Sequence, residues 1–378
     1  MEREYVESLR SALFQGIPPP KEVMKAIFVN REDELKRLAR ALESVVSSGR
    51  GRALLITGDA GYGKSALIEY FKGYALEQHG VAFSYVEMRG LASVEPLELI
   101  PAVYRMIIEQ MESSEGKRGR EILTSISRVL YEKYSGVLDK ISFRLRSCLS
   151  AEVRERFEEL GDEAVARTLA LMAINHLNPV AYDYLRGVRG LEPDEARLFE
   201  RALGCRIPWS LRREGLGRAL ATIARAVREA GMKALVIAID ELEVLESVGH
   251  DLLPRFLAEF TAFMEIAISS PIFIIVASTP GFWSEDEKSV KSLYPFLFQR
   301  LNPGRLDLGG LKVADVRALA WRLIKLYEGA YGGSVVLGID GDSLGSEVFR
   351  RVQPLGHPRG IVQQLVSTLD EKIVAVGP

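Results

Sequence analysis

The apolar run Ala53-Leu54-Leu55-Ile56-Thr57 passes directly into Gly58-Asp59-Ala60-Gly61-Tyr62-Gly63-Lys64-Ser65, and the residues from Lys64 to about 78 read as a helix. An unbroken apolar run of this kind fits a parallel strand buried on both faces. Glycines at 58, 61 and 63 let the backbone curl so that several N–H groups face one point. The helix that follows adds the positive end of its dipole. Strand, curled turn and helix in this order match the phosphate-loop pattern G-x-x-x-x-G-K-[ST] in full. In that pattern Lys64 reaches the β- and γ-phosphates and the Ser65 hydroxyl ligates Mg²⁺, while Asp59, Ala60, Tyr62 and Ala66 complete the backbone cradle. A glycine-rich turn without nucleotide is the plain alternative.

A second strand, 81–88, makes the opening a βαβ unit. The alternation then stops. From 92 to 230 the pattern is helical, with breaks near Gly116, Gly161, Asn178-Pro179, 187–190 and Pro208, and this is far longer than a usual crossover. The sheet resumes at 234–240, followed by a helix at about 252–268 and a strand at 272–278. Helices at about 312–330, 342–352 and 358–375 end the chain. Ahead of the first strand, 1–16 reads as an amphipathic helix ended by Gly16 and Pro18-Pro19-Pro20. A second helix, about 31–47, opens after Asn30, a good N-cap residue. The expected fold is α/β, a P-loop core with a central parallel sheet. Its parts are a helical arm (1–26), the first half of the core (27–91), a helical insertion (92–230), the second half of the core (231–305) and a helical lid (306–378).

Chemistry is concentrated where strands end. Asp240 at the tip of 234–239 is suited to hold Mg²⁺, and Glu241 beside it to polarise an attacking water, with Glu243 and Glu246 extending the acidic run. Ser278-Thr279 ends the next strand, and Ser278 is the candidate for sensing a γ-phosphate. The alternative is a strand-to-turn transition before Pro280-Gly281. Arg300, with Arg305 as competitor, is a candidate to complete a neighbouring subunit's site, or is a surface arginine. In Gly356-His357-Pro358-Arg359-Gly360, Arg359 falls in the first turn of a helix, where a cation is disfavoured by the dipole. Contact with the γ-phosphate would explain it; a solvated arginine is the alternative. Val29 and Arg31, with Phe28 and Glu32, are placed to pack on an adenine ring, or simply start a helix.

Composition limits the rest. In 378 residues, 47% are hydrophobic and the net charge is −2, with a pI near 6.2, so bulk charge does not coat nucleic acid. Cys148 and Cys205 lack CxxC spacing and suit a reduced interior, each as a buried small apolar group. His79, His176, His250 and His357 form no zinc pattern. Trp209, Trp283 and Trp321 read as core or packing residues. No apolar run reaches the ~20 residues of a membrane span, and the charged N-terminus has no signal-peptide core. A cytoplasmic protein is expected.

Taken together, these motifs resemble AAA+ ATPases of the archaeal origin-initiator type and, more closely, the ATP-binding proteins of BREX phage-defence systems. The resemblance runs from Leu9–Pro19 and Asn30-Arg31-Glu32 through Gly58–Ser65. It continues through the long helical stretch and its exit (230–235) into Asp240-Glu241-Leu242-Glu243, then Ala277–Pro280, Tyr294–Leu301 and Pro358-Arg359. It implies an ATPase with an α/β core and helical lid, often oligomeric. Initiators carry a C-terminal winged helix and the BREX ATPases long extensions. With the chain ending soon after Arg359, DNA binding through a winged helix is not expected. The resemblance implies ATP and Mg²⁺ as cofactors, a homo-oligomer or partner protein, and a switch or motor role in a DNA-linked process such as phage defence. Two other readings stand beside it. One is a slow signalling ATPase that binds a partner through the insertion. The other is a DNA-binding adaptor with structural ATP, using Arg212, Arg213 and Arg218.

Overall fold

The computed structural model describes residues 2–17, 19–91, 93–95, 98–136, 149–247, 252–285, 289–336, 338–352 and 357–376. Five strands, β1 (Arg52–Thr57), β2 (Ala82–Glu87), β3 (Leu235–Asp240), β4 (Ile272–Ser278) and β5 (Leu306–Asp307), form one sheet in the order β2-β3-β4-β1-β5. The pairs β2–β3, β3–β4 and β1–β5 are parallel. Every residue of β3 and β4 is buried, as their unbroken apolar runs require. The chain divides into two compact units, one of residues 1–40, 56–74 and 306–378, the other of 41–55 and 75–305.

The first unit is built on helices Glu2–Gln15, Val313–Tyr331, Gly341–Val352 and Pro358–Val376. Val6, Leu9, Leu323, Tyr327, Leu344 and Leu365 are in its core. Two of these helices approach closely because glycine permits it: a Cβ on Gly345 would lie 2.7 Å from the Arg317 backbone. A polar knot ties the first helix to the last. Arg10 donates to both oxygens of Asp370 (3.1 and 2.5 Å), and the Tyr327 hydroxyl donates to Asp370 Oδ1 at 2.7 Å. Burial, then the bond to Asp370, pushes the Tyr327 phenol well above its ordinary range, so it stays a neutral donor.

In the second unit, helices fill most of the described chain between β2 and β3, apart from turns, the loop 204–212 and the isolated bridges of Glu112 to Phe83 and Arg118. Their starts are chemically marked. Ser150 and Asp162 accept hydrogen bonds from Val153 N–H and Val165 N–H, capping Ala151–Glu158 and Glu163–Met172. Ile107, Leu123, Leu169 and Leu220 pack with Ile237 and Phe260 in one core. No described helix is long and apolar enough to cross a membrane.

Several sequence expectations need correction. A helix Lys21–Ile27 follows the proline run, and β5 was not foreseen. Asn30 is not the N-cap. The helix begins at Glu32, and Asn30 sits two residues earlier with φ +51°, its amide donating to Asp315 at 2.7 Å. Trp283 is fully buried, but Trp209 is 60% exposed and Trp321 40% exposed, so neither is a core residue. Trp321 does have a packing partner, lying over Gly341, whose missing side chain makes room for the indole. Cys205 is half-buried; Cys148, His250, Pro18 and Gly356 lie outside the described residues.

Asp370→Ala removes the acceptor that Arg10 and Tyr327 share, leaving Arg10 its bonds to Glu7 and the Tyr331 hydroxyl. We expect a loss of about 1–2 kcal/mol, moderated by the partial exposure of the pair. Urea denaturation of the variant against the wild type checks this.

Candidate functional site

The phosphate loop lies wholly in the first unit. β1 ends at Thr57, whose hydroxyl donates to Asp307 Oδ1 at 2.5 Å, while Leu308 N–H donates to the Thr57 carbonyl at 2.7 Å. Gly58 is pressed against Leu308, 3.1 Å from where a Cβ would stand. Gly61 and Gly63 have φ of +82° and +89°, a conformation L side chains disfavour. Beyond the latter the space is open. The first bond of the helix Lys64–His79 is Leu67 N–H to Gly63 O at 2.9 Å. The N–H groups of Lys64, Ser65 and Ala66 therefore precede the helical ladder and point out of its positive end. Lys64 is buried, its Nζ donating to the Gly58 and Asp59 carbonyls at 2.6 and 3.4 Å. Asp59 and Ala60 are exposed, and Ser65 and Ala66 half-buried.

Other residues of the same unit hold this loop from behind. Arg31 is 8% exposed. Its Nη2 donates to Gly309 O (2.7 Å) and Tyr62 O (3.3 Å), and its Nη1 pairs with Glu34 at 3.0 Å. Arg31 is thus bound to loop backbone. Val29 is buried, and Phe28 stacks on Tyr70 with ring centroids 4.2 Å apart. Arg359 is exposed; its backbone N–H donates to Gly61 O at 3.2 Å. His357, which the sequence marked only as lacking a zinc pattern, touches the loop at Gly61.

The acidic pair lies in the second unit. Asp240 is 1% exposed, and both its oxygens accept hydrogen bonds. The Tyr85 hydroxyl donates to Oδ2 at 2.7 Å, and Glu241 N–H to Oδ1 at 2.8 Å. Glu241 has φ +60°, a strained conformation for glutamate that costs on the order of 1 kcal/mol. Its carboxylate is ion-paired with Arg89, 2.6 Å away. Neither Tyr85 nor Arg89 carried a sequence signal. Ser278 is buried, with a long 3.5 Å contact from its hydroxyl to Thr279 O. Arg300 is exposed in the last turn of Pro295–Leu301, whereas Arg305 donates to Ser284 Oγ at 3.3 Å.

A family model described as the AAA ATPase domain matches residues 27–275. The chain belongs to the AAA ATPase family. Among solved structures, this AAA ATPase is similar to the Aeropyrum pernix ORC1 protein in complex with DNA, at 13% identity and TM-score 0.36, over 93% of this chain and 67% of that one. It is also similar to a Walker-type ATPase of Pyrococcus abyssi, at 16% identity and TM-score 0.33, over 93% and 77%. No curated protein matches it by sequence.

Arg31→Ala strips the Tyr62 and Gly309 carbonyls of a buried donor. We expect about 1–3 kcal/mol of destabilisation. Thermal unfolding of the nucleotide-free variant measures it.

Proposed function

We propose that this AAA ATPase binds ATP on its phosphate loop and hydrolyses it. The observation that carries the reading is the set of unladdered N–H groups of Lys64, Ser65 and Ala66 beside a buried lysine whose Nζ rests on the loop's own carbonyls. Such a cradle suits an anion, and the left-handed glycines suit a close approach of backbone to phosphate. In this reading the N–H groups from Gly58 to Ala66 orient the phosphates, and Lys64 turns from the carbonyls to the β- and γ-oxygens. Ser65 and Asp240 would hold Mg²⁺, which supplies charge neutralisation at the phosphates when bound. Glu241 accepts the proton of the attacking water. Ser278 orients that water, Arg359 meets the γ-phosphate, and Arg300 or Arg305 acts in a neighbouring subunit. Val29 and Arg31 flank the base, Arg31 doing so while it holds the loop.

Residues 27–91 and 231–305 would then be halves of the nucleotide-binding core, 92–230 an insertion, 306–378 a lid and 1–26 an arm. We favour a cytoplasmic switch or motor subunit in a DNA-linked process such as phage defence, for which the resemblance to BREX proteins is the support. The Arg89–Glu241 ion pair favours a second reading, a slow signalling ATPase, because a base tied to a guanidinium is a weaker base. The adaptor reading is less well supported. Arg213 pairs with Glu259, and Arg218 lies 4.0 Å from Asp162, so two of its three arginines face carboxylates.

Lys64→Ala is expected to weaken ATP binding at least about tenfold, the loss of a charged hydrogen bond. Equilibrium titration with ATP checks this, and wild-type affinity in the variant would sink the reading. Arg89→Ala is expected to raise turnover by up to about fivefold, the value of a largely exposed ion pair. Steady-state phosphate release is the measure, and a fall in turnover would oppose the signalling reading.

A further inference from the structure

A helix leaves its first N–H groups without intrahelical acceptors, and something outside the helix has to satisfy them. In Pro358–Val376 the first residue is proline and has no N–H. The next three donors are all accounted for. Arg359 N–H donates to Gly61 O at 3.2 Å, Gly360 N–H to His357 Nδ1 at 3.0 Å, and Ile361 N–H to His357 O at 3.2 Å. His357 is therefore the N-cap, with an imidazole nitrogen in the place usually taken by a serine or aspartate oxygen. The bond requires Nδ1 to be without a proton.

The ring does more than cap. A Cβ on Gly61 would stand 3.1 Å from His357 Nδ1, and one on Gly360 would stand 2.9 Å from His357 Cε1. The imidazole fills the space that two glycines leave open, one in the phosphate loop and one in the helix. Gly61 is also held by its own carbonyl, through the Arg359 N–H. Loop and helix start are thus joined at one point, and the side chain that joins them is neutral when it caps. An aspartate would cap equally well but would set a negative charge against the loop.

We propose that His357 is a positioning residue for nucleotide binding: it seats the phosphate loop on the start of the Arg359 helix while keeping carboxylate charge away from the phosphates. This rests on the reading of Gly58–Ser65 as the ATP site. The test compares His357→Asn with His357→Asp in the full chain, each by thermal unfolding without nucleotide and by titration with ATP and Mg²⁺. Both side chains cap, so both variants should unfold within a few degrees of each other. The Asn variant should keep ATP affinity within about twofold of wild type. The Asp variant should bind ATP at least about fivefold more weakly than the Asn variant, the effect of one charge about 4 Å from another in water. A wild-type chain that binds ATP, with Asn and Asp variants of equal affinity, overturns the proposal and leaves the ATP site standing. A wild-type chain that binds no ATP removes both.

Discussion

A loop that curls its N–H groups toward one point cannot be held by regular secondary structure, because those donors are the ones left out of the ladder. Gly61 and Gly63 make the curl sterically possible, and neighbouring segments keep it in place. Arg31 grips the Tyr62 carbonyl, Leu308 N–H takes Thr57 O, and Arg359 N–H takes Gly61 O. Three segments far apart in sequence thus converge on one loop. The unit of residues 1–40, 56–74 and 306–378 is compact partly for this reason. Its helical core around Leu9, Leu323 and Leu365 gives these anchors a fixed frame.

The acidic pair depends on a different constraint. Asp240 ends a strand buried along its whole length, so its carboxylate is placed by the sheet and must be satisfied locally. The Tyr85 hydroxyl and the Glu241 N–H do this. Glu241, the next residue, lies in the left-handed region, and its carboxylate is held by Arg89.

Much of the fold was legible because burial on both faces leaves an unmistakable mark, as in Ile272–Ser278 and Leu235–Asp240. The phosphate loop was legible because few residues tolerate its backbone. What escaped was either short or non-local. β5 has two residues, too few for any pattern, and exists because it pairs with Ile56 and Thr57. Asn30 has the right side chain for a cap but spends it on Asp315, 285 residues further along the chain. Trp209 has the composition of a core residue in an exposed loop, and residue type alone does not tell the two apart. Arg31 acts on the Tyr62 carbonyl of the loop and His357 on the Gly360 N–H of the last helix, and a contact with a carbonyl or an N–H leaves no residue-type signature at its far end.

The central claim is that ATP held by the loop is cleaved with Glu241 as base. The most direct measurement is ATP binding and single-turnover hydrolysis by Glu241→Gln. The account predicts near wild-type affinity with hydrolysis reduced at least about a hundredfold, the usual worth of a general base. Hydrolysis at the wild-type rate would contradict it.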